Sequence, residues 1–115
     1  MPNKKINFIN SRELGQRKDL LLLDIRDKIK FSQNAIKGSI NIDVYNDLHE
    51  GNFGIVKGKL KILPKNKIII TVCNAGITAQ AASTLLSSMG YKTAVLEHGM
   101  IGWNAMNSDN KLDNH

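Results

Sequence analysis

The stretch IIITVCNAGITAQAA, Ile68–Ala82, decides the fold. It opens as an unbroken run of isoleucine, threonine and valine and closes rich in alanine. β-Branched residues suit a pleated surface, whereas alanine is the strongest helix former. A strand therefore meets a helix here, and the chain's single cysteine, Cys73, stands at the seam. An apolar run without polar alternation is buried on both faces, as a central parallel strand is. The strand is expected over Lys67–Cys73. The helix is expected over Thr78–Met89, where Ala79, Ala82, Leu85, Leu86 and Met89 recur at helical spacing and Gly90 is placed to end it.

The same alternation extends outward from this seam. DLLLLDIR (Asp19–Arg26) is a second compact apolar run, and its consecutive leucines again bury both faces. INFI (Ile6–Ile9) reads as a short first strand. NSREL (Asn10–Leu14) offers an Asn or Ser cap with Glu13 close behind, so a short helix follows. GSINID (Gly38–Asp43) is a short strand between turn signals, and KTAVLEHG (Lys92–Gly99) is a strand and turn. GMIGWNAM (Gly99–Met106) reads as a short final helix. The stretch Asn46–Lys67 holds three glycines and a proline and reads partly as loop. Within it, KLKIL fits either a strand or one helical turn. The polar tail Asn107–His115 is expected to be disordered, leaving one domain over residues 1–106. Strands alternating with helices make βαβ units, hence an α/β class with a mainly parallel sheet covered on both faces. Such sheets bind ligands beyond the carboxyl ends of their strands, where Cys73 sits.

The 115 residues suit a single domain with one modest core. No apolar run approaches the ~20 residues of a membrane helix. The opening MPNKKINFIN is basic but lacks the apolar segment of a secretory signal. One cysteine makes no internal disulfide and no multi-cysteine zinc site, so the expected compartment is the reducing cytoplasm. The net charge of +6 comes mostly from lysine, notably Lys57, Lys59, Lys61, Lys65 and Lys67. Neither aromatics nor arginines are interleaved with these lysines, so a solvated face is expected rather than a nucleic-acid surface. No metal, cofactor, nucleic-acid or membrane partner is expected.

A thiol is a poor nucleophile until it ionises. The residues Asn74–Thr78 can turn backbone N–H groups inward as an anion nest, and the following helix adds its positive N-terminal end. Gly76 permits a backbone conformation closed to other residues, while Ala75 and Ala79 leave room for a reacting group. Thr78 can cap the helix and offer a hydroxyl to a bound anion. The same nest suits a persulfide, Cys–S–S⁻, without a histidine base. A lone cysteine at such a seam can also be a small buried hydrophobe.

Taken together, LLLDIRD, AIKGSINI and CNAGITAQAA…GYKTAVLEHGMIGW resemble the rhodanese-like domain in order and spacing, from about Ile6 to Trp103. The resemblance implies a three-layer α/β fold and a single-domain sulfurtransferase. It implies that Cys73 is the nucleophile and persulfide carrier, with the N–H groups of Asn74, Ala75, Gly76, Ile77 and Thr78 as its cradle. Asp24 and Arg26 match the family's Asp-x-Arg and imply a brace for the active-site face. The implied substrates are a small sulfur-containing anion or persulfide donor and a thiol acceptor, a protein among them, or cyanide. Many members carry a cation inside the loop, and CNAGIT has none. That makes a protein persulfide, glutathione persulfide or polysulfide at least as plausible a donor as thiosulfate. Ala35, Lys37 and His98 stand where the family often has histidine, proline and glycine. His98 is expected to be an exposed turn residue. A phosphatase of this fold needs Cys-x5-Arg to clamp phosphate, and here that arginine position is Ala79. The remaining alternative is a non-catalytic or redox-sensing module.

Overall fold

A computed structural model describes residues 5–113. Residues 114 and 115 of the expected tail, and the first four of the opening stretch read for a leader, lie outside the described residues. In chain order the elements begin with β1 (Phe8–Ile9), a 3₁₀ turn (Ser11–Gln16), β2 (Leu20–Asp24), α1 (Lys28–Gln33) and β3 (Ile40–Asn41). They continue with α2 (Tyr45–Glu50), α3 (Phe53–Leu60), β4 (Ile68–Val72), α4 (Thr78–Ser88), β5 (Lys92–Leu96) and α5 (Gly99–Asp113). The five strands form one parallel sheet in the order β1-β5-β4-β2-β3.

The two long apolar runs become neighbours at the centre, Leu20–Asp24 pairing in register with Ile68–Val72. Successive side chains of a strand point to opposite faces. Leu21, Leu23, Ile69 and Cys73 accordingly join one cluster with Leu48, Val56, Leu60, Ala79, Ala82 and Leu86 from α2, α3 and α4. Leu20, Leu22, Ile70 and Val72 join the other, with Leu14, Met100 and Trp103. A fully buried Leu, Ile or Val contributes about 1.5–3 kcal/mol, so these two layers clamp the sheet between its helices.

Local signals place several boundaries. Asn10 Oδ1 accepts from Glu13 N–H at 3.1 Å while Glu13 Oε1 accepts from Asn10 N–H at 3.3 Å, closing the anticipated capping box. Gly90 follows the end of α4 with φ +91°. The edge strands are shorter than expected: only Phe8–Ile9 and Ile40–Asn41 pair. The ambiguous stretch resolves into α2 and α3, and Lys59 and Leu60 of KLKIL end α3 as helix rather than strand. Helix α1 is not among the elements that the sequence pattern predicts. It starts on Asp27, whose carboxylate accepts from Lys30 N–H at 2.9 Å, and it buries no residue. Helix α5 runs past Met106 to Asp113, so residues 107–113 are helical where disorder was expected.

The lysine-rich segment is only partly a solvated face. Lys67 Nζ donates to Lys18 O at 2.9 Å, and Lys59 pairs with Asp47 at 3.3 Å. Lys65 Nζ donates to Met89 O and lies 4.0 Å from the centre of the Tyr91 ring. No helix among the described residues is long and apolar enough to cross a membrane.

Candidate active site

Cys73 follows the last residue of β4 and is 2% exposed. Its side chain falls on the α4 face because it is two residues beyond Thr71, which shares that face. Thr71 Oγ1 donates to Ala79 O at 2.9 Å and so fastens the first turn of α4 to β4. That anchor sets a backbone N–H over the sulfur. Gly76 N–H and Ala79 N–H donate to Cys73 Sγ at 3.2 and 3.3 Å. Gly76 reaches the sulfur by folding back with φ +87°. Two peptide dipoles aimed at one sulfur are the arrangement that solvates a sulfur anion without a side-chain cation.

Of the expected cradle residues, Gly76 bonds Sγ itself. Ala79, read as a small residue that leaves room for a reacting group and as the position of the missing phosphatase arginine, supplies the second N–H. Among the described hydrogen bonds, none runs from the N–H of Asn74, Ala75, Ile77 or Thr78 to Sγ. Thr78 does not cap α4: Ile77 is the N-cap residue and no side chain caps the helix. Instead Thr78 Oγ1 lies 3.1 Å from His49 Nε2 on α2. Sequence reasoning misses His49 because it lies in the ambiguous stretch and no local motif marks it.

The loop is also held from the far side. Gly99, the first residue of α5, has φ +52°, and a Cβ there would collide with Cys73 O. Close approach lets Met100 N–H and Ile101 N–H donate to Cys73 O and Asn74 O at 2.9 and 3.0 Å. A Cβ on Gly76 would meet His98 N at 3.1 Å, so the two turns lie backbone against backbone. The His98 side chain points away, 74% exposed, with Nε2 3.4 Å from Glu97 Oε1. It is the exposed turn residue anticipated.

Asp24 and Arg26 lie at the end of β2, beside the β4 end that carries Cys73. Both are buried, at 0% and 6% exposure. Arg26 Nη2 and Nε donate to Asp24 Oδ2 and Oδ1 at 2.7 and 3.0 Å, and Nη2 also donates to Asn34 O at 2.6 Å. Asn41 Nδ2 donates to the carbonyls of Asp24 and Arg26 at 3.0 and 2.9 Å. The pair ties β2, β3 and the end of α1 together and makes no described hydrogen bond to Cys73. Around the opening, Asn74, Ala75 and Ile77 are exposed, Ile77 at 73%, so the rim is uncharged and partly apolar. Among the described residues no group of His, Cys, Asp and Glu could hold a metal ion.

Comparison with known proteins gives a consistent picture. Residues 11–106 match the Rhodanese-like domain. A tRNA uridine(34) hydroxylase of Pelagibacter ubique is 32% identical over 105 residues, 88% of this chain but 33% of that protein. The chain thus spans about a third of the hydroxylase's length. A sulfurtransferase of Allochromatium vinosum is 25% identical over 103 residues, 85% of this chain and 88% of that one. The crystal structure of a rhodanese-related protein from Thermoplasma volcanium superposes with a TM-score of 0.73 at 27% identity, covering 87% of this chain and 92% of the other.

Proposed function

Because this chain belongs to the rhodanese-like domain family, we propose that it is a sulfurtransferase carrying sulfane sulfur as a persulfide on Cys73. The observation that carries this reading is the pair of N–H groups from Gly76 and Ala79 converging on Cys73 Sγ at 3.2 and 3.3 Å. In the first half-reaction the Cys73 thiolate attacks the outer sulfur of a donor R–S–SH. A bond forms between Sγ and that sulfur, the donor's S–S bond breaks, and its electron pair leaves on R–S⁻. In the second, an acceptor thiolate or cyanide attacks the outer sulfur and returns the Cys73 thiolate. No net oxidation occurs. The N–H groups of Asn74, Ala75, Ile77 and Thr78, free of Sγ, are the donors available to the outer sulfur.

The uncharged rim selects among donors. Thiosulfate is a dianion, and neither Asn74, Ala75 nor Ile77 offers it a cation. A persulfide group carries a single charge and a polysulfide spreads its charge along an apolar sulfur chain, and Ile77 at 73% exposure suits an apolar or protein-borne donor. The test is intact mass after incubation with polysulfide or thiosulfate. The protein is expected to gain one sulfur, faster from polysulfide, and Cys73→Ser is expected to stay folded and gain none. No added sulfur from either donor would defeat the proposal. A non-catalytic or redox-sensing module is the second reading, favoured by the 2% exposure of Cys73, and it forecasts that null result.

A further inference from the structure

Thr78 Oγ1 and His49 Nε2 are 3.1 Å apart, the one described side-chain hydrogen bond between α2 and α4. Thr78 leaves the helix uncapped, since α4 has Ile77 as its N-cap and no side-chain cap at all. His49 is on the solvent side of α2, its ring centre 4.5 Å from that of Tyr45 at a tilt of 46°. The residue after Thr78 is Ala79, whose N–H holds the sulfur. An imidazole thus reaches the sulfur loop by way of a hydroxyl at the loop's last position. It is the ionisable group that the loop can reach in this way, for the loop Asn74–Thr78 and the whole of α4 contain no ionisable side chain. The ionisable groups on the elements packed beside His49 are Tyr45, Asp47 and Glu50 on α2 and Lys57 and Lys59 on α3, and Asp47 is engaged by Lys59.

We propose that His49 and Thr78 form a proton relay for the group leaving the sulfur donor, which makes this site selective for donors whose leaving group is a basic thiolate. The proposal rests on the sulfur-transfer reading above. When Cys73 Sγ takes the outer sulfur of R–S–SH, the S–SR bond breaks and R–S⁻ carries its electron pair. The imidazolium of His49 gives its Nε2 proton to Thr78 Oγ1, and Thr78 passes its own hydroxyl proton to R–S⁻, releasing R–SH. In the second half-reaction neutral His49 draws a proton from the acceptor thiol along the same path, producing the attacking thiolate and restoring the imidazolium. Atoms, charge and protons balance over the cycle. Nε2 as the nitrogen facing Thr78 leaves Nδ1 open to solvent for exchange. His49 touches no sulfur; it is a positioning residue that acts through Thr78.

The test compares two donors in single-turnover loading, followed by intact mass. Glutathione persulfide releases a basic thiolate, whereas benzenethiosulfonate releases a sulfinate too weakly basic to need a proton. Loss of a general acid typically costs ~10²–10⁴-fold, and through a relay His49→Gln is expected to slow loading from glutathione persulfide at least about tenfold while changing benzenethiosulfonate by no more than about twofold. Thr78→Val is expected to give the same donor-dependent pattern, and the double variant no further loss. Equal slowing with both donors, or none with either, overturns the relay and leaves sulfur transfer standing. Wild-type protein that gains no sulfur from either donor overturns both.

Discussion

His98 holds a left-handed backbone, φ +61°, at the turn between β5 and α5. A residue with a Cβ loses roughly 1–2 kcal/mol there, and glycine avoids that cost but adds freedom to the unfolded chain. His98→Gly is therefore expected to raise the unfolding free energy by about 0.5–1 kcal/mol, read from the urea midpoint at unchanged slope. An unchanged or lower midpoint would mean that the turn is not strained. At this scale Cys73 was legible because a lone cysteine stood between two strong and opposite propensities. His98 was legible as a turn residue because glycine follows it. His49 was not, because its partner Thr78 lies 29 residues away and spacing in the chain says nothing about such a contact. Ala79 was hidden for another reason: its contribution is a backbone N–H, which every residue but proline carries.

Helix α5 begins by pressing Gly99 against the carbonyls of Cys73 and Asn74. A methyl group on Gly99 would overlap the first oxygen outright and lie 2.8 Å from the second, and both are backbone atoms that cannot rotate aside. Gly99→Ala combines this clash with an unfavourable φ and is expected to cost roughly 2–4 kcal/mol, with persulfide loading lost together with the loop geometry. Urea unfolding and intact mass measure the two effects. A variant as stable as wild type would show that α5 does not hold the loop. The strands and α4 were readable because their apolar spacing is strong and uninterrupted. Helix α3 was not, since Gly54 and Gly58 dilute it and only Val56 and Leu60 mark its buried side. Helix α1 buries nothing, so hydrophobic spacing had nothing to report.

Across the molecule, the Asp24–Arg26 pair joins the carboxyl ends of β2 and β3 to α1, beside the cysteine rim. Arg26→Leu would leave the Asp24 carboxylate at 0% exposure without its partner. Breaking a buried pair on one side costs about 3–5 kcal/mol, and thermal or urea unfolding is expected to show a loss of that size. A loss below about 1 kcal/mol would refute the brace. The parallel α/β class was legible because runs buried on both faces leave few alternatives. Strand order was not, since it depends on which distant segments meet: the first strand pairs with the last, Phe8 beside Val95. That pairing and the seat of Gly99 on Cys73 have a consequence for biosynthesis. Within this domain β1 is made before the strand it pairs with, and Cys73 is made before the residues that grip its carbonyl. The nascent thiol is therefore unshielded until Gly99–Ile101 has been made and seated, so the partly made domain is more open to oxidation and alkylation than the mature fold.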